Sequence, residues 1–394
     1  MSKSFQLDLI SSHVLVFQGN TAVLEQSSLL GALAERCGQA GAMNWLSHFL
    51  QVSSFKGKEP YVVLFLRREV TASSLTLEDV HAAVMLFEYR VWGLPTGAFC
   101  ADDWAGFRTV IAPEAQRGAI AAMAVDALLK HGAQIALISY HHALRATSKL
   151  VPLSSERLRW GWLTLPMAMS LPLETTFEAT LATLGKSTRN NLKYYRRRLA
   201  KELPCEFVAD ARDLLNDQDL EAVNRGSLNP IALKDFRLQY RSSCTLQGGF
   251  LMGLRNGEGK WLSLVGGWRQ AGTTVHYWQM NTAGYEKLSI GKAMLSYFLE
   301  HEVNIGTRTL SYNGGTPNPI RYSFVQEEAT YFIARRRSWR AALLYKVMQI
   351  LASAHFIQIN SLLAQIINRK DIVWHSTDEK IREREARSRH SEIL

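Results

Sequence analysis

Apolar residues change their spacing along the chain, and each change marks an element. From Leu24 to Phe55 they fall at helical intervals, with Gly57 as a stop. Tyr61 to Leu66 is an unbroken apolar run, as expected of a strand buried on both faces, and Arg67-Arg68-Glu69 closes it. Thr76 to Tyr89 reads as helix again, and Gly93-Leu94-Pro95-Thr96-Gly97 is a turn cluster. Arg117-Gly118-Ala119 leads a helix through Lys130, Gly132 ends it, and Ile135 to Tyr140 is a strand. Pro152 to Pro172 is extended, with Trp160 and Trp162 alternating, and Thr175 and Glu178 stand at capping-box spacing before a helix through Leu184.

The second half has a cleaner grammar. From Gly249 an antiparallel meander turns at Asn256-Gly257 and Ala271-Gly272 into the β-branched and aromatic run Thr273 to Asn281. After a short loop, Ser289 is the expected N-cap of a helix through Asn304, with Ile290, Met294 and Tyr297 at helical spacing. Gly306 stops it, and Thr309 to Tyr312 is a strand that runs into Asn313-Gly314-Gly315. Strand, loop, helix and strand leave a helix N-terminus with free N–H groups and a positive dipole end, a corner that suits an anion such as pyrophosphate. The earlier Gly118 to Tyr140 stretch repeats the order glycine, helix, glycine, strand, and both copies end on Ser-Tyr. Two copies of one α/β fold in tandem are therefore expected.

Charge adds two features. Lys186 to Lys201 holds seven cations and no carboxylate, while Leu192, Tyr195 and Leu199 make one apolar stripe. That is an amphipathic helix with a cationic outer face, suited to phosphate. Ala341 to Asn368 is a helical tail whose only formal charge is Lys346, too polar to span a bilayer and suited to its surface, to its own domain or to another chain. The residues after Asp378 are charge-dense and expected to fray.

Composition bounds the rest. With 394 residues, 47% of them hydrophobic, the chain can bury two cores. Cys37, Cys100, Cys205 and Cys244 lie far apart without paired metal spacing and read as buried thiols, so no metal is expected. Neither a signal peptide nor a spanning segment is read, so a cytoplasmic protein is expected, at most peripheral at the inner face of the membrane. The formal charge of +10 favours anionic partners: nucleotide phosphates, tRNA or a membrane surface.

The stretch around Tyr285, Leu288, Ser289 and Gly291, with Gly306 before the strand and Gly314-Gly315 after it, resembles the acyl-CoA-binding half of the GNAT acyltransferases. The resemblance is to the double-domain branch of CelD-like polysaccharide proteins and FemABX aminoacyl transferases. Lys186, Arg189, Asn191 and Leu192 match an entry common in that branch. Ile290 replaces a usual proline, Ser311 a usual acid, and Arg321 a usual lysine, with Phe324 close to an aromatic position. The resemblance implies tandem GNAT-like α/β domains with mixed, largely antiparallel sheets flanked by helices. Their expected extents are 1–171 and 172–340, followed by a helical tail over 341–394.

It further implies an acyl-CoA co-substrate, acetyl-CoA first, and transfer to an amine or hydroxyl of a sugar in surface-polysaccharide synthesis. The acceptor would be a small molecule or a lipid- or nucleotide-linked sugar. Gln279, Met280 and Asn281 would offer backbone N–H groups to the carbonyl and pantetheine, and Ser289, Ile290, Gly291 and Lys292 would hold the pyrophosphate. His276, or an ordered water, would act as base, and Tyr285 and Tyr312 would protonate the thiolate. Lys186, Arg189, Asn191, Lys193 and Arg321 would contact the acceptor. Two alternatives stand: a FemABX-type transferase using aminoacyl-tRNA, and a non-catalytic scaffold that binds RNA or membrane. Against the first, no long charged helix pair is read between Pro204 and Gly249.

Overall fold

A computed structural model describes residues 13–39, 58–91, 93–101, 109–141, 158–313, 325–353, 369 and 372–376. Among these, residues from 13 to 165 and from 328 to 376 form one compact unit, and residues 166–327 form a second. Residues beyond 327 thus return to the first unit, whereas the sequence divided the chain at 171/172 and 340/341.

In the first unit, β1 (His13–Gln18), helices α1 (Asn20–Glu25) and α2 (Ser27–Arg36), β2 (Lys58–Leu66), β3 (Val80–Val91) and β4 (Leu94–Ala101) come first. The short β5 (Val110–Ile111), helix α3 (Arg117–Lys130) and β6 (Ile135–His141) follow. The sheet order is β1-β2-β3-β4-β6, and β6 then pairs with β13 (Val325–Arg336). All these pairs are antiparallel except β4–β6, the two strands that α3 connects. Helix α9 (Trp339–Ser353) and β14 (Val373–Ser376) complete the unit.

The segment expected to be helical from Thr76 to Tyr89 is instead a 3-10 turn at Leu77–Asp79 followed by β3. Every residue from Ala82 to Glu88 is buried, so both faces of the strand are covered and no alternation survives to reveal it. Pairing with β2 along nine residues outweighs the helical propensity of Ala82, Ala83, Met85 and Leu86.

The second unit uses Ala168 to Pro172 of β7 (Leu158–Pro172), then α4 (Phe177–Thr183), the basic α5 (Lys186–Glu202) and β8 (Cys205–Val208). Helices α6 (Asp217–Arg225) and α7 (Leu233–Thr245) precede β9 (Gly249–Asn256), β10 (Trp261–Gln270) and β11 (Thr273–Asn281). Helix α8 (Ile290–Asn304) crosses to β12 (Thr309–Asn313). The strand order is β7-β12-β11-β10-β9-β8, antiparallel throughout except for β11–β12, the pair that α8 connects. Each unit is thus a mixed, largely antiparallel sheet with one parallel pair bridged by a helix, the tandem α/β arrangement expected.

The sheet of the second unit is covered on both faces. Leu181, Leu192, Leu199, Ile290, Met294 and Phe298 pack with Phe250, Met252 and Leu254 on one side. Leu220 and Phe236 pack with Leu251, Leu264, Trp278 and Met280 on the other. Between Pro204 and Gly249, where no long charged helix pair was expected, stand the nine-residue α6 and thirteen-residue α7. They cover the sheet through Leu220 and Phe236. Helix α8 is tied down at its far end by Glu302, which is fully buried. Its carboxylate accepts from Arg269 Nη2 at 2.7 Å and Thr307 Oγ1 at 2.7 Å, and also from Thr274.

Candidate functional site

The site grows from an irregularity in β11. Gly266 pairs with Trp278 but Gly267 pairs with His276, so Tyr277 is an extra residue. A Cβ on Gly267 would lie 1.9 Å from the Val275 carbonyl oxygen, so the close approach of the two strands here requires glycine. The bulge resets which side chains face which side. Tyr277 and Trp278 both pack on the α6–α7 face. His276 swings to the α8 face, with its ring centroid 4.5 Å from Tyr312 and 5.7 Å from Phe298.

Pairing of β11 with β12 ends at His276–Tyr312, and β11 continues to Asn281. The Thr282 N–H donates to the Leu262 carbonyl of β10 and the Asn281 carbonyl accepts from Leu228 N–H, which fixes the alternation of the strand. Gln279 and Asn281 therefore direct their N–H groups away from β10, toward the edge β12 has left, whereas Met280 spends its N–H in the β10 ladder. The Met280 side chain is buried on the α6–α7 face.

Helix α8 begins beside this edge. Ser289 was expected to cap it through its hydroxyl. It instead takes a left-handed conformation (φ 45°, ψ 54°) and makes no side-chain capping bond. Its carbonyl accepts from the Lys292 and Ala293 N–H groups. The N–H groups of Ile290 and Gly291 have no carbonyl within their own helix. A non-glycine residue at positive φ is unusual and costs about 1–3 kcal/mol, and it sits here at the mouth of a cleft.

That cleft has a volume of about 300 Å³, and Gln279, Asn281, Tyr285, Ser289, Ile290, Gly291 and Lys292 all line it. Leu228, Thr282 and Glu286, which the sequence did not single out, complete the lining. Its floor is a polar chain: Ser263 Oγ donates to Asn281 Oδ1 (2.8 Å), and Gln279 Nε2 donates to Asn281 Oδ1 (3.1 Å) and the Gly291 carbonyl (3.2 Å). Gly291 is small for a reason. A Cβ there would stand 3.0 Å from Asn281 Nδ2. Glu286 accepts from the Gly284 N–H, a bond that holds its carboxyl below the usual range.

His276 and Tyr312 lie outside the cleft lining, in the core beneath α8. Burial lowers the His276 pKa to about 4, against opposing contributions from its own backbone and the Gln279 amide, and it raises that of Tyr312. His276 Nε2 has no hydrogen-bond partner of good geometry among the described residues. Both groups are neutral near pH 7. His276 must bind a proton on acid unfolding, so stability falls as pH drops from about 6.5 to about 4, by about 3 kcal/mol. Urea titrations across that interval should show a steeper decline for the native chain than for His276→Gln.

The basic helix α5 packs along α8. Lys292 Nζ lies 5.0 Å above the Tyr195 ring, and Arg198 Nη1 donates to the Lys287 carbonyl at 3.1 Å. Tyr195 thus stands against Lys292 of the cleft lining, and Arg198 reaches the turn that precedes α8. Arg189 and Lys193 lie further toward the helix N-terminus, at about 1.5 Å per residue. Lys193 is paired with Glu178 at 2.6 Å, Lys186 is exposed, and Asn191 is half-buried. Arg196 is spent on Glu300 (2.6 Å) and the Tyr297 ring. Arg321 and Gly314-Gly315 lie outside the described residues.

The chain matches no protein-family model and no curated protein. Several solved structures resemble it. One is FemX (TM-score 0.49, 10% identity), covering 72% of this chain and 90% of that one. A second is a tandem GNAT protein from the clavulanic acid biosynthesis pathway (TM-score 0.41, 12% identity), covering 83% and 99%. A third is L-PGS from Bacillus licheniformis (TM-score 0.47, 12% identity), covering 83% and 95%.

Proposed function

We propose that the second unit transfers an acyl group from a coenzyme A thioester to an amine or hydroxyl, in the cleft at the start of α8. One observation carries the reading. Ile290 and Gly291, whose N–H groups have no carbonyl within their own helix, line a single opening together with Lys292 and with Gln279, whose N–H turns away from β10. The N–H groups of Ile290 and Gly291, with Lys292, would hold the pyrophosphate. Gln279 N–H would face the acyl carbonyl and stabilise charge on its oxygen. The thioester supplies a reactive carbonyl and a thiolate leaving group. As the acceptor attacks the carbonyl carbon and the carbon–sulfur bond breaks, the acceptor loses a proton and the sulfur gains one.

Glu286, the one carboxylate among the described residues of the lining, would take the acceptor proton as the new bond forms, though its lowered pKa makes it a weak base, and the Tyr285 hydroxyl would protonate the sulfur. His276 and Tyr312 support the floor from below. The resemblance to CelD-like proteins makes a sugar amine or hydroxyl the first acceptor to test. Acyl-CoA hydrolysis and transfer to amino sugars, followed by thiol release, would test the activity. Glu286→Gln should lower kcat by about 100-fold with little change in the KM for donor. Unchanged kcat would remove Glu286 from the reaction.

Aminoacyl-tRNA is the second donor to consider, because the cationic α5 borders the same cleft. Salt separates the two. Coenzyme A makes few phosphate contacts, so its affinity should change by less than about tenfold between ~50 and ~200 mM salt, whereas a tRNA engaging six or more phosphates should lose about 10³-fold or more. Replacing Arg198 by Gln should raise the acceptor KM and leave coenzyme A affinity within about twofold, whereas replacing Arg189 and Lys193, further along α5, should leave both within about twofold. Ribonuclease-sensitive activity of the purified protein would overturn the coenzyme A reading.

A further inference from the structure

Helix α9 carries a feature that acyl transfer does not use. Its inward face, Ala341, Leu344, Tyr345 and Met348, is buried or half-buried. Its outward face holds Trp339, Leu343, Val347 and Ile350, with exposures of 71%, 56%, 40% and 57%. At 100° per residue these four fall within one stripe along the helix. Four large apolar side chains in line are more than the scattered exposure of an ordinary surface.

Charge says what covers them. Between residues 329 and 370 the chain has seven cations and no carboxylate. Arg340 and Lys346 are both exposed, and they flank the stripe on opposite sides. Arg340 also lies 5.6 Å from the Trp339 ring, so the aromatic end of the stripe is itself cationic. An apolar stripe edged by cations, with a tryptophan at one end, matches the interface of an anionic bilayer. There the apolar side chains enter the acyl boundary while Lys346 extends to the headgroups. No described helix is long and apolar enough to cross a membrane, so the contact would be with the surface.

We propose that α9 docks the first unit on the surface of an anionic lipid bilayer, with Trp339, Leu343, Val347 and Ile350 inserted and Arg340 and Lys346 against the headgroups. The proposal stands independently of the acyl-transfer reading, because it rests on a different unit.

The test is co-sedimentation of the full chain with phosphatidylcholine vesicles, with and without a third of phosphatidylglycerol, at low and high salt. Binding should require phosphatidylglycerol and weaken with salt. Leu343→Glu combined with Ile350→Glu should reduce the bound fraction by about tenfold or more. Arg340→Gln with Lys346→Gln should weaken binding and flatten its salt dependence. Leu214→Glu, at an exposed apolar position of the second unit, should change nothing.

Three results would overturn the proposal. One is equal binding to neutral and anionic vesicles, or none to either. Another is a native dimer that the two glutamates convert to monomer, which would assign the stripe to a second copy. The last is a lower thermal midpoint for the glutamate variant with unchanged vesicle binding, which would assign it to packing within the chain.

Discussion

Replacing Glu302 by alanine should destabilise the second unit by about 3–5 kcal/mol, the range for breaking a buried ion pair by removal of one partner. The carboxylate is fully buried and holds Arg269, Thr274 and Thr307 together. Without it, the guanidinium of Arg269, 30% exposed in its side chain, loses its ion-pair partner, and the buried hydroxyls of Thr274 and Thr307 lose the carboxylate they share. Glu302 sits in the last turn of α8, where the helix dipole disfavours a negative charge, so its presence there depends on Arg269. Glu302→Gln keeps an acceptor and should cost less. Urea unfolding of the two variants gives the ordering, and a loss below about 1 kcal/mol for alanine would contradict this account of the network.

The second large effect is expected at Gly291. Glutamate there would place a carboxylate beside the free N–H groups of α8, where phosphate is proposed to bind. Two like charges about 4 Å apart in a partly shielded site repel by about 4 kcal/mol, enough for a loss of coenzyme A affinity on the order of 100-fold or more. The fold should survive, since an acid in the first turn of a helix is favourable. Gly291→Ala is the control for packing alone: the nearest atoms to its Cβ belong to the Asn281 amide, at 3.0 Å, so it brings the same crowding without the charge. Calorimetry of both variants separates charge at the site from disturbance of the packing. Donor affinity within a few-fold of native for Gly291→Glu would move the site elsewhere.

The second unit was the more legible because its signals are local. The turn glycines, the helix limits of Ile290–Asn304 and the strand Thr309–Asn313 all follow from spacing that one element alone dictates. Seven of the residues expected to act there, from Gln279 to Lys292, do line one cleft. What failed to show was set by pairing between distant segments. Simple alternation puts His276 on the side of Trp278 and Met280; the extra residue Tyr277 moves it under α8, into a core that keeps it neutral. The one hint was the Gly266-Gly267 pair, a sign of close backbone approach that reads equally as a turn.

Strand β3 was read as helix for the related reason that a strand covered on both faces loses its period. Ser289 has the chemistry of a cap, but its backbone conformation is imposed by the turn through Glu286–Leu288 that precedes it. Composition foretells neither. The cations of α5 were visible as a run, yet which of them reach the cleft depends on how α5 lies against α8.

The central claim is that a coenzyme A thioester places its phosphates on the first turn of α8. Amide hydrogen exchange with and without saturating coenzyme A tests it most directly, because it reads the backbone N–H groups themselves. Protection is expected to concentrate at Gln279 and at Ile290 to Lys292, to vanish in Gly291→Glu, and to leave the first unit unchanged. Protection confined to any other helix N-terminus, or none at a concentration that saturates binding, would contradict the account.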